Sequence, residues 1–267
     1  MQASLSAAGF AAISDFFFLH SGIRLKPDKY ALVEGRLRRR ATAQGLESLD
    51  DYVNQVLATP QSAEALGVVD SLTTNETYFL REPAHFEHLT QLARKASGSR
   101  PLRVWSAAAS SGEEGYSIAM TLARHAGAHP WEVVGTDLSS VMVTKARQGL
   151  YPVERCVNIP LPDLKLWCLR GEGHYEGQVL INRELRNKVR FEIGNLMHPL
   201  PALGQFDVIF LRNVLIYFEG EAKARLLGNV LQNLRPGGHF YISHTESLHG
   251  MEHTLQRMAP AIFRRPD

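Results

Sequence analysis

The sequence predicts an α/β fold in which a parallel sheet, with helices on both faces, follows an all-α N-terminal domain. From Pro101 onward, short apolar runs alternate with helical stretches, a pattern typical of βαβ units. Before residue 100 there is no strand pattern. A third observation concerns residues 164–193, which carry three glycines between two short strand candidates and so predict a small antiparallel β insertion.

The N-terminal part of the chain is predicted to be a set of short helices. Pro27 suits the first position of a helix, where its fixed φ and its missing N–H are tolerated. Ser48 and Asp51 resemble a capping box at the start of another helix, which Pro60 ends. A further short helix is predicted over residues 63–69.

The second part of the chain is predicted to alternate strands and helices. Strands are predicted at residues 102–107, 132–137, 188–193, 206–211 and 240–243. Helices are predicted between most of them, at residues 114–126, 139–148 and 219–234. The stretch RPGGHF (235–240) is interpreted as the end of a helix at Pro236, followed by a glycine turn into the last strand.

Composition limits the class of protein. Hydrophobic residues make up 45% of the chain and charged residues 21%, as in ordinary globular proteins. The two cysteines, Cys156 and Cys168, form no disulfide framework, and the N-terminus lacks the basic region of a signal peptide, so a cytoplasmic location is predicted. No apolar stretch reaches membrane-spanning length. A net charge of +2 gives no global signature of nucleic-acid binding.

A turn of small residues, VWSAAASSGEEGYS (104–117), joins the first predicted strand to the next helix. Ligands bind beyond the carboxyl ends of parallel strands, and small residues let them approach the backbone closely. The turn lacks a glycine-rich phosphate loop, which disfavours a nicotinamide oxidoreductase. Glu113 would repel a diphosphate but attract a cation, whereas Glu114 is assigned to the helix surface.

A second acid stands at the tip of the second predicted strand. Asp137 ends the run VVGTD, a position at which a carboxylate commonly accepts hydrogen bonds from ribose hydroxyls. A pocket for a ribose and a cation, without a diphosphate, fits S-adenosylmethionine. The simpler alternative is that Glu113 is an acid favoured by the helix dipole and Asp137 is a helix cap. Their joint placement in one βαβ unit favours the ligand site.

Four stretches in this order carry a resemblance to a known family: SLTTNETYFLREPAHFEHL (71–89), RVWSAAASSGEEGYSIAMTLA (103–123), FDVIFLRNVLIYF (206–218) and LRPGGHFYISHTESL (234–248). They resemble the chemotaxis receptor glutamate O-methyltransferases of the CheR type, over essentially the whole chain. Gly115 departs from the proline usual in the family, which loosens the helix start without removing a ligand group. The resemblance implies a Rossmann-like, S-adenosylmethionine-dependent methyltransferase domain.

The resemblance implies a domain organisation and a set of cofactor contacts. The expected parts are a helical N-terminal domain (1–72), a linker contributing to the cofactor site (73–82) and a methyltransferase domain (83–267) with its β insertion at about 164–190. S-adenosylmethionine is the expected cofactor and S-adenosylhomocysteine the product. Glu113 is expected to hold the methionine ammonium and Asp137 the ribose. The other expected cofactor contacts are Asn75, Thr77 and Arg81 in the linker, Asn195 and Leu196 at the adenine, and Arg212 and Asn213 at the pocket floor.

Arg81 and Tyr217 are the expected catalytic residues. Arg81 would steer the substrate carboxylate, and Tyr217 would position it near the transferred methyl group. A glutamate side chain is ionised near neutral pH, so the reaction needs no general base, and no metal is expected. From spacing alone, Tyr217 inside LIYF could equally be a core aromatic residue, and the resemblance is what favours the catalytic interpretation.

Two features point to the substrate protein. A basic helix with Arg36, Arg38, Arg39 and Arg40 suits acidic receptor helices that bear methylatable glutamates; a solvated surface and RNA are the alternatives. In the family, the insertion can capture a receptor's C-terminal peptide by strand addition. The loop RGEGHYEG, with Gly171, Gly173 and Gly177, resembles that tethering type. Recruitment to membrane or soluble receptor arrays follows, without nucleic acid or membrane insertion.

Two other functions stay open at this point. One is a methyltransferase of the same fold that acts on RNA, although no aromatic residues are interleaved with the basic helix to stack on bases. The other is a non-catalytic adaptor that binds receptor or cofactor product without turnover. The intact set of expected cofactor contacts argues against such an adaptor.

Overall fold

A computed structural model describes residues 4–267 and divides the chain into two compact units between Thr74 and Asn75. The first unit contains four α-helices and, over its described residues, no strand. These are α1 (Ala7–Ser21), α2 (Tyr30–Ala43), α3 (Leu49–Ala58) and α4 (Ala63–Leu72). Ser48 Oγ accepts the Asp51 N–H at 3.2 Å, which confirms the predicted cap of α3. Pro27 begins a short 3₁₀ turn rather than α2 itself.

The second unit alternates helices and strands. Its helices are α5 (Pro83–Lys95), α6 (Glu113–His125), α7 (Ser140–Gln148), α8 (Leu161–Trp167), α9 (Arg183–Arg186) and α10 (Gly220–Leu231). Its strands are β1 (Leu102–Ala107), β2 (Trp131–Asp137), β3 (Leu150–Pro152), β4 (Cys168–Arg170), β5 (Gln178–Ile181), β6 (Val189–Ile193), β7 (Phe206–Phe210), β8 (Leu234–Tyr241), β9 (Gln256–Ala259) and β10 (Ile262–Arg264).

Seven strands form the main sheet in the order β6-β2-β1-β7-β8-β10-β9. The first five are parallel, while β10 is antiparallel to both β8 and β9. The predicted α/β class is therefore confirmed. Because β1 pairs with β2 on one side and β7 on the other, strand order reverses at β1, and a crevice opens beyond the carboxyl ends of β1 and β7.

The main sheet differs from the predicted elements at β8. Pro236 and Gly237 lie inside this strand instead of ending a helix, and α10 stops earlier, at Leu231. The register between β7 and β8 shifts at this place, between Phe206 and Val208. A bulge can accept a proline without an N–H and a glycine with a φ of 72°, so the helix-ending signal was misassigned. The sequence patterns do not predict β10 or the edge strand β9.

The insertion is a separate antiparallel sheet in the order β3-β5-β4. It includes β3, so it begins before the predicted residue 164; three residues ending in proline carry no alternation to detect. Gly171 is required in the β4–β5 connection, because a Cβ there would lie 1.9 Å from the Tyr175 carbonyl oxygen. Within residues 4–267, none of the helices has the length and apolar character needed to cross a bilayer.

Candidate functional site

Strained backbone clusters around the crevice beyond β1 and β7. Six described residues other than glycine have positive φ. Five of them lie before α5, after β1 or after β7, namely Leu80, Glu82, Ala108, Ser110 and Asn213. Left-handed backbone at such residues costs free energy and persists where the surroundings impose it, commonly at functional sites. The cluster marks this edge of the sheet as the candidate site.

Glu113 lies at the start of α6 and is fully buried. Gly112 precedes it with a φ of 98°, and a Cβ at Gly112 would lie 2.9 Å from that of Ala146, so the turn admits only glycine. Ser111 Oγ donates to Glu113 Oε2 at 2.7 Å, and Arg155 Nη2 lies 2.6 Å from Oε1. Burial raises the pKa of Glu113, while Ser111 and Arg155 lower it. A carboxylate held this way requires a cation beside it.

Asp137 ends β2 and is clamped between two turns. Its carboxylate accepts the backbone N–H of Ser110 at 2.8 Å and that of Ser139 at 2.9 Å. Ser139, not Asp137, caps α7, since its hydroxyl accepts the Met142 N–H at 3.3 Å. The capping alternative considered for Asp137 is therefore wrong, and its carboxylate faces the turn that follows β1.

The linker segment and the loop after β6 border the same crevice. Ser110 Oγ donates to the Asn75 carbonyl at 2.9 Å, and Arg155 donates to the Thr77 carbonyl at 2.7 Å. Gly194 N–H donates to the Asp137 carbonyl at 2.9 Å, which brings the loop containing Asn195 and Leu196 beside the acid. Asn195 Oδ1 accepts the Met197 N–H at 2.9 Å, and Leu196 is buried.

Arg212 is the buried hub beneath the crevice. Its guanidinium pairs with Glu82 at 3.1 Å and with Glu114 at 3.0 Å, and it donates to the Arg81 carbonyl. The assignment of Glu114 to the helix surface is wrong: its side chain is 13% exposed and accepts a hydrogen bond from Ser106 Oγ at 2.7 Å. Burial raises the pKa of Glu114, against the lowering effect of Arg212. Glu114 faces β1 because α6 lies against the sheet.

The two expected catalytic residues have accessible polar groups. The Arg81 guanidinium lies over the Tyr78 ring at 5.3 Å and makes a long 3.4 Å contact to the Glu76 carbonyl. Tyr217 ends a short 3₁₀ turn and is half-buried. Its partial exposure leaves the Tyr217 side chain open to a ligand that approaches from the carboxyl end of β7.

Asn213 belongs to a rigid loop between β7 and α10. The carboxylate of Glu246 accepts the backbone N–H groups of Asn213 at 3.0 Å and Val214 at 2.8 Å. It also accepts the Ser243 N–H at 2.8 Å. Asn213 Nδ2 donates to Ser243 Oγ at 3.0 Å. One carboxylate therefore holds the loop that carries the expected pocket floor.

A histidine stack packs behind Glu82. The buried His85 ring lies between Tyr241 and His244, with centroids 5.3 Å and 5.2 Å away and both interplanar angles at 16°. Ligand atoms of Glu82, His85 and His244 fall within 4.8 Å of one another, a donor set that metals use. Parallel stacked rings, however, direct their in-plane lone pairs past a common ion, and Arg212 already pairs with Glu82. The geometry favours a neutral packed imidazole.

Acidification is expected to destabilise the second unit through His85. Burial, and then the nearby Arg212 charge, lower the pKa of His85 from 6.5 to about 4. Between these values the unfolded chain binds a proton that the folded chain does not, so the free energy of unfolding falls as pH drops, by up to about 3 kcal/mol. His85→Phe, which keeps a stacking ring, should flatten the pH dependence of the thermal midpoint. An unchanged slope would contradict this assignment.

The comparison for that measurement is a second, partly buried histidine, His239. Burial, followed by the charge of His88, also lowers the pKa of His239 to about 4. The His85→Phe variant keeps His239, so part of the pH dependence of its thermal midpoint should remain. His239→Phe should remove a comparable part of it.

The arginines of the basic helix lie on α2, and most of them have protein partners. Three of the four arginines have partners within the first unit: Arg36 donates to the Thr73 carbonyl at 3.0 Å, Arg38 pairs with Glu34, and Arg40 pairs with Glu64 at 2.9 Å. Arg39 is exposed. In the insertion loop, Gly173 and Gly177 have positive φ, of 58° and 77°.

Three site residues carried no sequence signal that identified them. Arg155 lies in a short stretch after β3 without a motif, and its contact with Glu113 spans 42 positions of the chain. Ser111 looked like one small residue of the turn. Glu82 precedes Pro83 at the start of α5. Burial raises the pKa of its carboxyl, but the Ser243 hydroxyl and Arg212 outweigh burial and hold that pKa below its usual value.

The residues around the crevice fit S-adenosylmethionine. Glu113 offers a buried carboxylate to a cation, and Asp137 offers a carboxylate at the tip of the neighbouring strand. Gly115 is buried, and a Cβ there would lie 2.9 Å from the Phe191 ring, so the departure from proline makes room for that ring.

Comparisons with known proteins agree with this fit. The family model described as "CheR methyltransferase, all-alpha domain" matches residues 8–73, and "CheR methyltransferase, SAM binding domain" matches residues 75–262. The chemotaxis protein methyltransferase of Escherichia coli (strain K12) is 40% identical over 265 residues, covering 97% of this chain and 91% of that protein. Chemotaxis protein methyltransferase 2 of Pseudomonas aeruginosa is 38% identical over 258 residues, covering 95% and 91%.

A solved structure gives a weaker likeness. The glycopeptide N-methyltransferase MtfA complexed with (S)-adenosyl-L-methionine is 16% identical, covers 68% of this chain and 66% of that chain, and has a TM-score of 0.36.

Proposed function

The chain belongs to the CheR methyltransferase family, and we propose that it transfers methyl groups from S-adenosylmethionine to glutamate carboxylates of chemoreceptors. That S-adenosylmethionine is the cofactor follows from the family match over residues 75–262. The observation that supports the choice of a carboxylate substrate is the partial exposure of Arg81, in the linker, and of Tyr217, in the turn that follows β7. A cation and a phenol are suitable partners for an anionic nucleophile.

The cofactor is proposed to bind across the crevice. Glu113 holds its ammonium and Asp137 its ribose hydroxyls. Asn75 and Thr77 close the linker side, while Asn195 and Leu196 line the adenine. Asn213 forms the floor, and Arg212 supports that floor from below because its nitrogens already donate to protein groups.

The chemistry needs alignment rather than proton transfer. The bound cofactor supplies an electrophilic methyl group on a sulfonium. The substrate glutamate is already ionised near neutral pH, so no base has to remove a proton. Arg81 steers the carboxylate into the crevice and Tyr217 orients it, which removes water from the nucleophile and holds it in line.

Docking of the receptor is proposed to use two surfaces. On α2, the exposed Arg39 and the partly exposed Arg36 and Arg38 suit acidic receptor helices, whereas Arg40 contributes mainly to an internal pair with Glu64. On the insertion, β4 is an edge strand of the three-stranded sheet and is open to a receptor's C-terminal peptide by strand addition. Both surfaces would recruit the enzyme to receptor arrays.

The test is methyl transfer to receptor-containing membranes. Wild-type protein is incubated with methyl-labelled S-adenosylmethionine, and the product is treated with mild base. Release of volatile methanol is expected, because carboxyl methyl esters hydrolyse under these conditions. Base-stable label, or label lost after RNase treatment, would favour the RNA alternative. Receptors with and without their C-terminal tails, compared in one experiment, test the insertion.

Tyr217→Phe is expected to lower turnover by about tenfold to a hundredfold, the usual cost of a misplaced nucleophile. Affinity for S-adenosylhomocysteine should stay within about twofold of wild type, because Tyr217 contacts the substrate carboxylate and not the product's amino-acid end. Single-turnover methylation and calorimetric product binding, measured on the same preparation, check both statements. Wild-type turnover in both Tyr217→Phe and Arg81→Ala would show that the catalytic roles are misassigned.

A further inference from the structure

The buried Glu113 carboxylate already has a cationic partner within the protein. Arg155 Nη2 lies 2.6 Å from Glu113 Oε1, and the same nitrogen donates to the Thr77 carbonyl at 2.7 Å. Ser111 occupies the other carboxylate oxygen at 2.7 Å. Arg155 therefore bridges two positions proposed to contact the cofactor, on the side assigned to its ammonium group.

The two members of this ion pair differ in their access to water. The Glu113 side chain is 0% exposed, whereas that of Arg155 is 42% exposed. An ionised carboxylate without a partner is costly in such a place, so Glu113 needs a cation beside it for as long as it stays ionised. Arg155 has no such requirement, because its guanidinium is hydrated as soon as it turns away. An incoming ammonium can replace Arg155 at little cost to either group.

The backbone that carries Arg155 is held in place. Val153 N–H donates to the Gly177 carbonyl at 2.9 Å, and Cys156 is buried. The hydroxyl of Tyr151, just upstream, donates a hydrogen bond to the Ser111 carbonyl oxygen at 2.7 Å. Exchange at Glu113 therefore requires rotation of one side chain and no movement of the loop.

We infer that Arg155 is an exchangeable counter-ion of Glu113, which leaves the carboxylate when the cofactor's ammonium binds and returns when the product departs. This inference rests on the proposed role of Glu113. Every binding event breaks the Arg155–Glu113 pair, so Arg155 lowers the affinity for cofactor and product alike. It also keeps the buried acid ionised between turnovers, ready for the next ammonium.

The test compares two ligands that differ in the amino-acid end. S-adenosylhomocysteine carries the ammonium, whereas 5′-methylthioadenosine has the same nucleoside and no ammonium. At a mildly alkaline pH, where Glu113 is ionised in both proteins, Arg155→Gln is expected to bind S-adenosylhomocysteine about fivefold more tightly, the equivalent of one partly exposed ion pair. Its affinity for 5′-methylthioadenosine should not change. The affinity of Arg155→Lys for S-adenosylhomocysteine should lie between those of Arg155→Gln and wild type. Arg183 is an exposed arginine on α9, and Arg183→Gln should bind with wild-type affinity.

A second readout is proton release on binding. Burial raises the pKa of Glu113, and Ser111 and Arg155 hold it down, so loss of Arg155 raises it further. In Arg155→Gln, a larger share of the acid is protonated at a given pH than in wild type, and that share must ionise to hold the ammonium. Calorimetry in buffers of different ionisation enthalpy should therefore show more proton release for the variant than for wild type.

The outcomes separate this inference from the proposed function. Weaker binding of S-adenosylhomocysteine by Arg155→Gln would make Arg155 a direct ligand and overturn the exchange. Unchanged affinity with unchanged proton release would also overturn it. Failure of the wild-type protein to bind S-adenosylhomocysteine would overturn the proposed cofactor site, and the inference with it.

Discussion

Glu113→Gln is expected to weaken binding of S-adenosylhomocysteine by at least about 50-fold, because one partner of a buried, hydrogen-bonded charge pair is lost. Glutamine keeps the size of the side chain and the contact with Ser111, so the crevice keeps its shape. What disappears is the negative charge opposite the ligand's ammonium, at a place shielded from water. Titration calorimetry with purified protein measures the effect directly.

The nucleoside part of the ligand provides the control for this prediction. 5′-Methylthioadenosine lacks the ammonium, so its affinity should be the same for wild type and for Glu113→Gln. An equal loss of affinity for both ligands would mean that the substitution disturbs the crevice. Unchanged affinity for both would show that Glu113 is not part of the binding site. Asp137→Asn should weaken the binding of both ligands, since both carry the ribose.

The sheet could be predicted from the sequence because its central strands are buried on both faces. Such strands appear as largely apolar runs, and the predicted 102–107 coincides with β1. Three shorter strands give no such signal. β9 is mostly exposed, β10 and β3 have three residues each, and β3 ends in a proline, so neither alternation nor apolar length distinguishes them from loops.

The candidate site divides in the same way. Glu113 and Asp137 follow strands directly, and strand ends on one edge of a parallel sheet converge, so their pairing is visible in the sequence. Arg155 and Glu82 reach the crevice through tertiary contacts with residues far away in the chain. Glu114 shows the limit most clearly: helical periodicity cannot tell an exposed glutamate from one that meets a buried arginine contributed by another strand's end.

Arg212 is the residue whose loss is expected to destabilise the fold most. Its side chain is 2% exposed and lies between Glu82 and Glu114, whose side chains are 15% and 13% exposed. Without the guanidinium, two buried carboxylates face each other with no cation, and the Arg81 carbonyl loses a donor. The two acids can then lower their cost only by taking up protons.

Arg212→Met is therefore expected to lower the free energy of unfolding by about 3–5 kcal/mol, the usual cost of removing one partner from a buried ion pair. The loss should shrink as pH falls, because protonation of Glu82 and Glu114 relieves the unpaired charge. Adding Glu114→Gln to Arg212→Met should recover part of the stability, which a merely packing role for Arg212 would not allow. The free energies of unfolding are measured by urea titration. Arg190→Met, which breaks an exposed pair with Glu192, should lower this free energy by less than about 1 kcal/mol. A loss from Arg212→Met as small as that from Arg190→Met would contradict the buried-hub assignment.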